Sequence, residues 1–95
     1  MKRQYDPAFI KALKQADVRI SKSFKEKIAI FAKNPYNLNL NNHKLKQEYE
    51  GYRSIDITAD WRAIYEEIDT GEEEKTAYFF AIGTHEQLYE KPKLA

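Results

Sequence analysis

The sequence predicts an α+β domain in which an N-terminal helical hairpin packs on one face of a small antiparallel β-sheet. Three observations lead there. Apolar residues recur at helical spacing up to Pro35, aromatic and β-branched residues dominate three runs beyond Tyr52, and turn-forming residues separate those runs. A chain of 95 residues supports one core, so a single domain over 1–95 is expected.

Asp6-Pro7 reads as an N-cap followed by proline at the first helical position, and Phe9, Ile10 and Leu13 give a short helix over about 7–15 its apolar side. Asp17 can cap a second helix. Along it Ile20, Phe24, Ile28 and Phe31 recur at spacings of four, four and three, with Lys22, Lys25 and Lys33 off that stripe, until Asn34-Pro35 ends it. The Phe/Ile stripe needs an apolar partner, which the sheet provides. The Asn-rich segment 36–42 reads as a loop, because Asn side chains compete for backbone hydrogen bonds and tolerate left-handed turns. Strands are expected over Tyr52 to Thr58, Trp61 to Ile68 and Thr76 to Ile82, forming a meander whose acidic tip, residues 69–74, is a solvent-exposed hairpin end. Alternation in the first strand puts Ile55 and Ile57 with Arg53 toward the helices, and Tyr52, Ser54 and Asp56 on the open face.

Composition narrows the function. The chain has no cysteine, which excludes disulfides and thiolate metal sites and is compatible with a reducing cytosol. No apolar run approaches the roughly 20 residues of a membrane span, and residues 1–7 lack a signal peptide's apolar stretch, so a cytoplasmic protein without a membrane partner is expected. The net charge of +1 hides an asymmetry: residues 1–35 hold nine Lys/Arg against three Asp/Glu, and residues 36–95 hold seven against twelve. A basic helical part suits phosphate or an acidic partner, or is simply a solvated lysine face.

Chemistry-bearing residues gather late in the chain. His85 follows the last strand in Ile82-Gly83-Thr84-His85-Glu86-Gln87-Leu88-Tyr89, and imidazole, titrating near pH 6.5 in water, suits general acid-base work; a surface His in a C-terminal turn fits the same residues. His43 precedes Lys44-Leu45-Lys46. Two histidines with Lys44, Lys46 and Arg62 would suit phosphodiester transesterification, in which one group takes the ribose 2′-proton, another protonates the 5′-oxygen and cations stabilise the added charge. Each lysine alone also reads as an ordinary solubilising cation. Asp60 is a natural turn residue, and Asp56 is a carboxylate on the open face. Trp61 shares a strand face with Tyr65 and, like Tyr89, is either core or a platform on which a base stacks. No metal-ligand spacing such as H-x-x-x-H occurs.

In order, His43-Lys44-Leu45, Gly51-Tyr52-Arg53, Asp60-Trp61-Arg62-Ala63-Ile64-Tyr65 and Gly83-Thr84-His85 with Leu88-Tyr89 resemble the RelE/ParE superfamily of type II toxins, most closely its YafQ-like branch. The resemblance spans nearly the whole chain. It implies an mRNA endoribonuclease that works in the ribosomal A site, needs no metal or other cofactor, and is neutralised by a cognate antitoxin with which it forms a hetero-oligomer. Residue by residue, it carries catalytic roles to His43, Asp60 and His85, an aromatic role to Tyr89 and Trp61, and a shared arginine to Arg62. Two positions depart from the branch: Asp56 stands where the branch has a second histidine, and Ala81 where it has an arginine. On that reading the base would be His43 or Asp56, the acid would be His85, and Lys44, Lys46, Arg62, Trp61 and Tyr89 are the candidate RNA contacts. Two other readings go with the same fold, a non-catalytic ParE-like toxin that binds DNA gyrase and an inactive relative that retains only antitoxin binding.

Overall fold

The computed structural model describes residues 1–89; the last six positions of the expected 1–95 domain lie outside the described residues. Helix α1 (Pro7–Gln15) starts on the Asp6 cap, whose side chain accepts the Ala8 N–H at 2.8 Å, and α2 (Val18–Lys33) starts on Asp17, which accepts from Arg19 N–H at the same distance. Each cap satisfies a backbone donor that the first helical turn cannot, and both helices have the expected bounds. No helix among the described residues is long and apolar enough to cross a membrane.

The sheet is larger than the sequence suggested, and it is mixed. Strands β3 (Arg53–Asp56), β4 (Trp61–Ile68) and β5 (Thr76–Thr84) form the antiparallel meander, to which β1 (Lys2–Tyr5) adds in parallel along β5 and β2 (His43–Lys44) adds antiparallel along β3, giving the order β1-β5-β4-β3-β2. Both additions are edge strands made of polar residues. Their pairing is fixed by backbone hydrogen bonds to a neighbour and not by alternating hydrophobicity, so neither carries the period-two signal that marks a strand in sequence.

The core lies between the helical hairpin and one face of the sheet. Phe9, Phe24, Phe31, Ile55, Ile57, Ala63, Tyr65, Ala77 and Phe79 are buried there, with Ile20 and Ile28 of the α2 stripe packed against them. Aromatic rings dominate: Phe79 meets Tyr65 at 5.0 Å and Phe31 at 5.4 Å between ring centres, and Phe9 meets Phe24 at 5.4 Å. Burial of each such side chain contributes roughly 1.5–3 kcal/mol before entropy is counted. Leu40 is also fully buried, so the Asn-rich segment is more than a surface loop: a short 3-10 turn, Leu38–Leu40, dips into the core.

Phe79 and Ile82 are three residues apart and would fall on opposite faces of a regular strand. A bulge reconciles them. Tyr65 pairs with Phe79 while Ile64 pairs with Ala81, which leaves Phe80 as the extra residue and keeps Phe79 and Ile82 both on the core side. Phe80 turns to the other face, where it meets Tyr52 at 4.8 Å and Tyr49 at 6.5 Å. The open face therefore carries a second, smaller aromatic patch.

Tyr65 joins core to loop. Burial pushes its hydroxyl up to about 12, working against Asn42, whose amide N–H donates to the phenol oxygen at 2.7 Å and favours the ionised form. In the unfolded chain a tyrosine titrates near pH 10, so the unfolded state loses this proton first and folding weakens as pH rises from about 10 to 12, by about 2–3 kcal/mol for this group. Alkaline unfolding followed by circular dichroism should show that loss, and Tyr65→Phe should flatten it while lowering stability at neutral pH by about 1 kcal/mol through the lost hydrogen bond. An unchanged alkaline slope in Tyr65→Phe would assign the loss to other tyrosines.

Candidate active site

Asn34, Asn37, Asn41 and Asn42, which precede His43, each have a structural task. Asn34 and Asn37 accept the N–H groups of Tyr36 and Asn39 at 3.0 and 2.9 Å, Asn41 takes the left-handed conformation at φ 48°, and Asn42 is a node. The Asn42 amide donates to Pro35 O at 2.8 Å and to Tyr65 Oη at 2.7 Å, and its oxygen accepts from Arg53 Nε at 2.7 Å. Arg53 also lies over the Tyr36 ring, 5.2 Å from its centre. This half-buried network clamps the segment to the sheet, and Arg53, on the helix-side face as its parity requires, belongs to it.

His43 follows directly. Strand β2 pairs it with Ser54, and its Nδ1 lies 2.8 Å from the carbonyl oxygen of Asn41. A carbonyl can only accept, so Nδ1 carries the proton; in the neutral ring the lone pair is then on Nε2, away from that contact.

Arg62 and Asp56 face each other across β3 and β4, with Arg62 Nε 2.9 Å from Asp56 Oδ1 and both side chains mostly buried. The contact lies off the N–H axis, so it is an ion pair without a directed hydrogen bond. Arg62 Nη1 donates to the carbonyls of Thr58, Ala59 and Trp61 at 3.0 to 3.3 Å, so the guanidinium also closes the β3–β4 turn. Only Nη2 lacks a protein partner among the described residues.

His85 opens α3 (His85–Tyr89). Thr84 and Gln87 build a capping box: Gln87 N–H donates to Thr84 Oγ1 at 3.1 Å and Gln87 Oε1 accepts from Thr84 N–H at 2.9 Å. The His85 N–H donates to Asp60 O at 3.0 Å, Tyr49 Oη donates to Leu88 O at 2.9 Å, and the Tyr89 ring packs on His85 at 4.7 Å and edge-on to Tyr49 at 5.6 Å. A five-residue helix is too short to hold itself, and these contacts fix where its imidazole stands.

These elements enclose an open cavity of about 320 Å³ lined by Asn41, His43, Leu45, Arg62, His85 and Tyr89, at the lower end of the range for ligand sites. Two imidazoles, a guanidinium and an aromatic ring thus converge on one space. Asp56 stands behind Arg62, and Asp60 reaches His85 through its backbone; among the described residues the Asp60 carboxylate makes no hydrogen bond or ion pair. Lys44 and Lys46 do not line this cavity. They line a larger adjoining groove of about 710 Å³ with Tyr52, Glu50 and Glu67, and Leu45 borders both spaces. Trp61 goes the other way. It lies on the core face of β4 with Ala63 and Tyr65, partly buried against the core, and does not line the cavity.

Sequence reasoning missed Asn41, Leu45 and Tyr49. Asn41 had a legible signal, since an Asn two residues before a His is suited to a left-handed turn that returns its carbonyl to the ring. Tyr49 had none, because its partner Leu88 is 39 residues away.

The fold is a helical hairpin on a mixed sheet, with this constellation around one cavity. Residues 1–90 match the model of the YafQ family, bacterial toxins of type II toxin-antitoxin systems, and the chain belongs to that family. Among solved structures it is similar to YafQ from E. coli strain BL21(DE3), at 26% identity and TM-score 0.73 over 93% of this chain and 97% of that one. It is similar too to YafQ in the E. coli DinJ-YafQ complex, at 26% identity and TM-score 0.63 over 93% and 97%. A YoeB/ParE toxin from Agrobacterium tumefaciens shares the fold at 20% identity and TM-score 0.70 over 90% and 99%. A search of curated protein sequences gives no significant match.

Gly83 tests the support of His85. A Cβ added there would fall 2.9 Å from Gln87 Oε1, displacing the amide from Thr84 N–H. Gly83→Ala should cost about 0.5–2 kcal/mol, as cap losses do, and should speed amide hydrogen exchange selectively over residues 84–88. Unchanged exchange there would mean that the Gln87 cap is not what holds α3.

Proposed function

We propose that this chain is a ribosome-dependent mRNA endoribonuclease that cleaves by metal-independent acid-base transesterification and is held in check by a cognate antitoxin. The observation that carries this reading is the shared cavity of His43, Arg62, His85 and Tyr89. His43 Nε2 takes the proton of the ribose 2′-hydroxyl, whose oxygen attacks the adjacent 3′-phosphorus; the bond to the 5′-oxygen breaks, that oxygen receives a proton from His85, and a 2′,3′-cyclic phosphate remains. Arg62 Nη2 contacts the phosphate, and the Tyr89 ring supplies a stacking surface. Asp60 acts through its carbonyl, by fixing His85.

Lys44 and Lys46 extend the cation track beyond the cavity, where they meet the phosphates that flank the cut. Glu50 and Glu67 in the same groove oppose them, so the attraction for RNA is moderate, and delivery of the message by the ribosome compensates for it. Action on the ribosome sets the work in the cytoplasm. The antitoxin partner is proposed from kinship, since E. coli YafQ is solved in complex with DinJ as a toxin-antitoxin pair.

Purified ribosomes programmed with a defined mRNA should be cut by the wild-type protein. His85→Ala and His43→Ala should each lower the single-turnover rate by roughly 10²–10⁴-fold, the usual contribution of a positioned acid or base. The reading fails if programmed ribosomes stay intact with wild-type protein, or if His85→Ala cuts as fast. Inhibition of DNA supercoiling without RNA cleavage would point to the gyrase-binding alternative.

A further inference from the structure

We infer that Asp56 is a positioning residue that holds Arg62 directly and His43 through Asn41, and that it is not the base of the cavity. The inference rests on the proposed roles of His43 and Arg62 and names what organises them. Asp56 does not line the cavity, and each of its oxygens already faces a donor: Oδ1 is 2.9 Å from Arg62 Nε, and Oδ2 accepts from Asn41 Nδ2 at 3.3 Å. Oδ1 is buried beside the guanidinium and Oδ2 is held by Asn41, so the carboxylate is not presented to a substrate hydroxyl in the cavity.

Asn41 is the connecting piece. Its backbone is in the left-handed region at φ 48° and ψ 46°, its N–H donates to Leu38 O at 3.2 Å, and its side chain is tied to Asp56. With both ends fixed, its carbonyl is the acceptor for His43 Nδ1 at 2.8 Å, and the contact selects the tautomer that leaves Nε2 free. On the other arm, Asp56 and the carbonyls of the β3–β4 turn consume Nε and Nη1 of Arg62, so the guanidinium offers one nitrogen to a phosphate in a set direction. One carboxylate thus aligns the proton acceptor and the phosphate contact together.

Asp56→Asn separates the two arms. The charged guanidinium holds the single amide oxygen more strongly than the neutral Asn41 does, so the new NH₂ meets the Asn41 NH₂ donor to donor and the Asn41 arm is the one lost. Asp56→Ala removes both arms. In ¹⁵N spectra of the His43 ring at alkaline pH, the wild-type full chain should show the proton on Nδ1. Both variants should shift that population toward Nε2, while His85 signals stay in place. In ribosome-programmed cleavage, Asp56→Ala should lower kcat by about tenfold to hundredfold, the usual cost of a misaligned group. Thermal unfolding checks that each variant is folded, and Asp56→Asn suffices for the spectra if Asp56→Ala is not. An unchanged His43 tautomer in folded Asp56→Asn overturns the inference. Abolished cleavage in Asp56→Asn with the His43 tautomer unmoved would instead make Asp56 the base. Failure of the wild-type protein to cut RNA would sink the proposed function and leave the spectroscopic result standing.

Discussion

Tyr65 meets three parts of the molecule with one side chain. Its ring, fully buried, packs edge-on against Phe31 of α2 at 5.3 Å and against Phe79 of β5 at 5.0 Å, while its hydroxyl oxygen takes the Asn42 amide proton at 2.7 Å. An aromatic residue with a polar tip is suited to this, because it fills the core and still satisfies its oxygen at the edge. The hydrogen bond fixes Asn42, Asn42 fixes the start of β2, and β2 carries His43. Placement of the imidazole is therefore a by-product of packing the core.

The helices and the meander were legible because their signals are local. Asp6-Pro7 and Asp17 mark starts because each Asp accepts the N–H two residues on, Asn34-Pro35 marks a stop, and the Ile20, Phe24, Ile28, Phe31 stripe faces the core that it needed. The edge strands were not legible. Residues 2–5 are three polar side chains and a tyrosine, mostly exposed, and join the sheet through backbone bonds to β5, more than seventy positions later in the chain. His43 and Lys44 likewise become a strand only because Arg53 and Ser54 lie beside them. Pairing of that kind is decided by the assembled fold, and propensity says little about it.

For the site, the sequence identified residue types and the structure supplied distances. His43, Arg62, His85 and Tyr89 line one cavity, whereas Trp61 follows strand parity to the core side, and Lys44 and Lys46 turn into the neighbouring groove. Asp56 shows the limit of a residue-by-residue reading. As a letter it looks like a spare proton acceptor; in place, its oxygens are already engaged by Arg62 and Asn41. Charge and hydrogen-bond occupancy are properties of a neighbourhood, and neither is written at the position itself.

The unpaired Phe80 bears on more than the local twist. A strand's side chains alternate, so the parity at which β5 ends determines the side on which the chain departs from the layer. With one residue fewer, everything after Phe79 would be inverted, and the terminal turn bearing the imidazole would swing toward the helices instead of the exposed side. A single surplus phenylalanine thereby acts as the molecule's rudder: it carries no reactive group, yet it steers the exit of the segment that does.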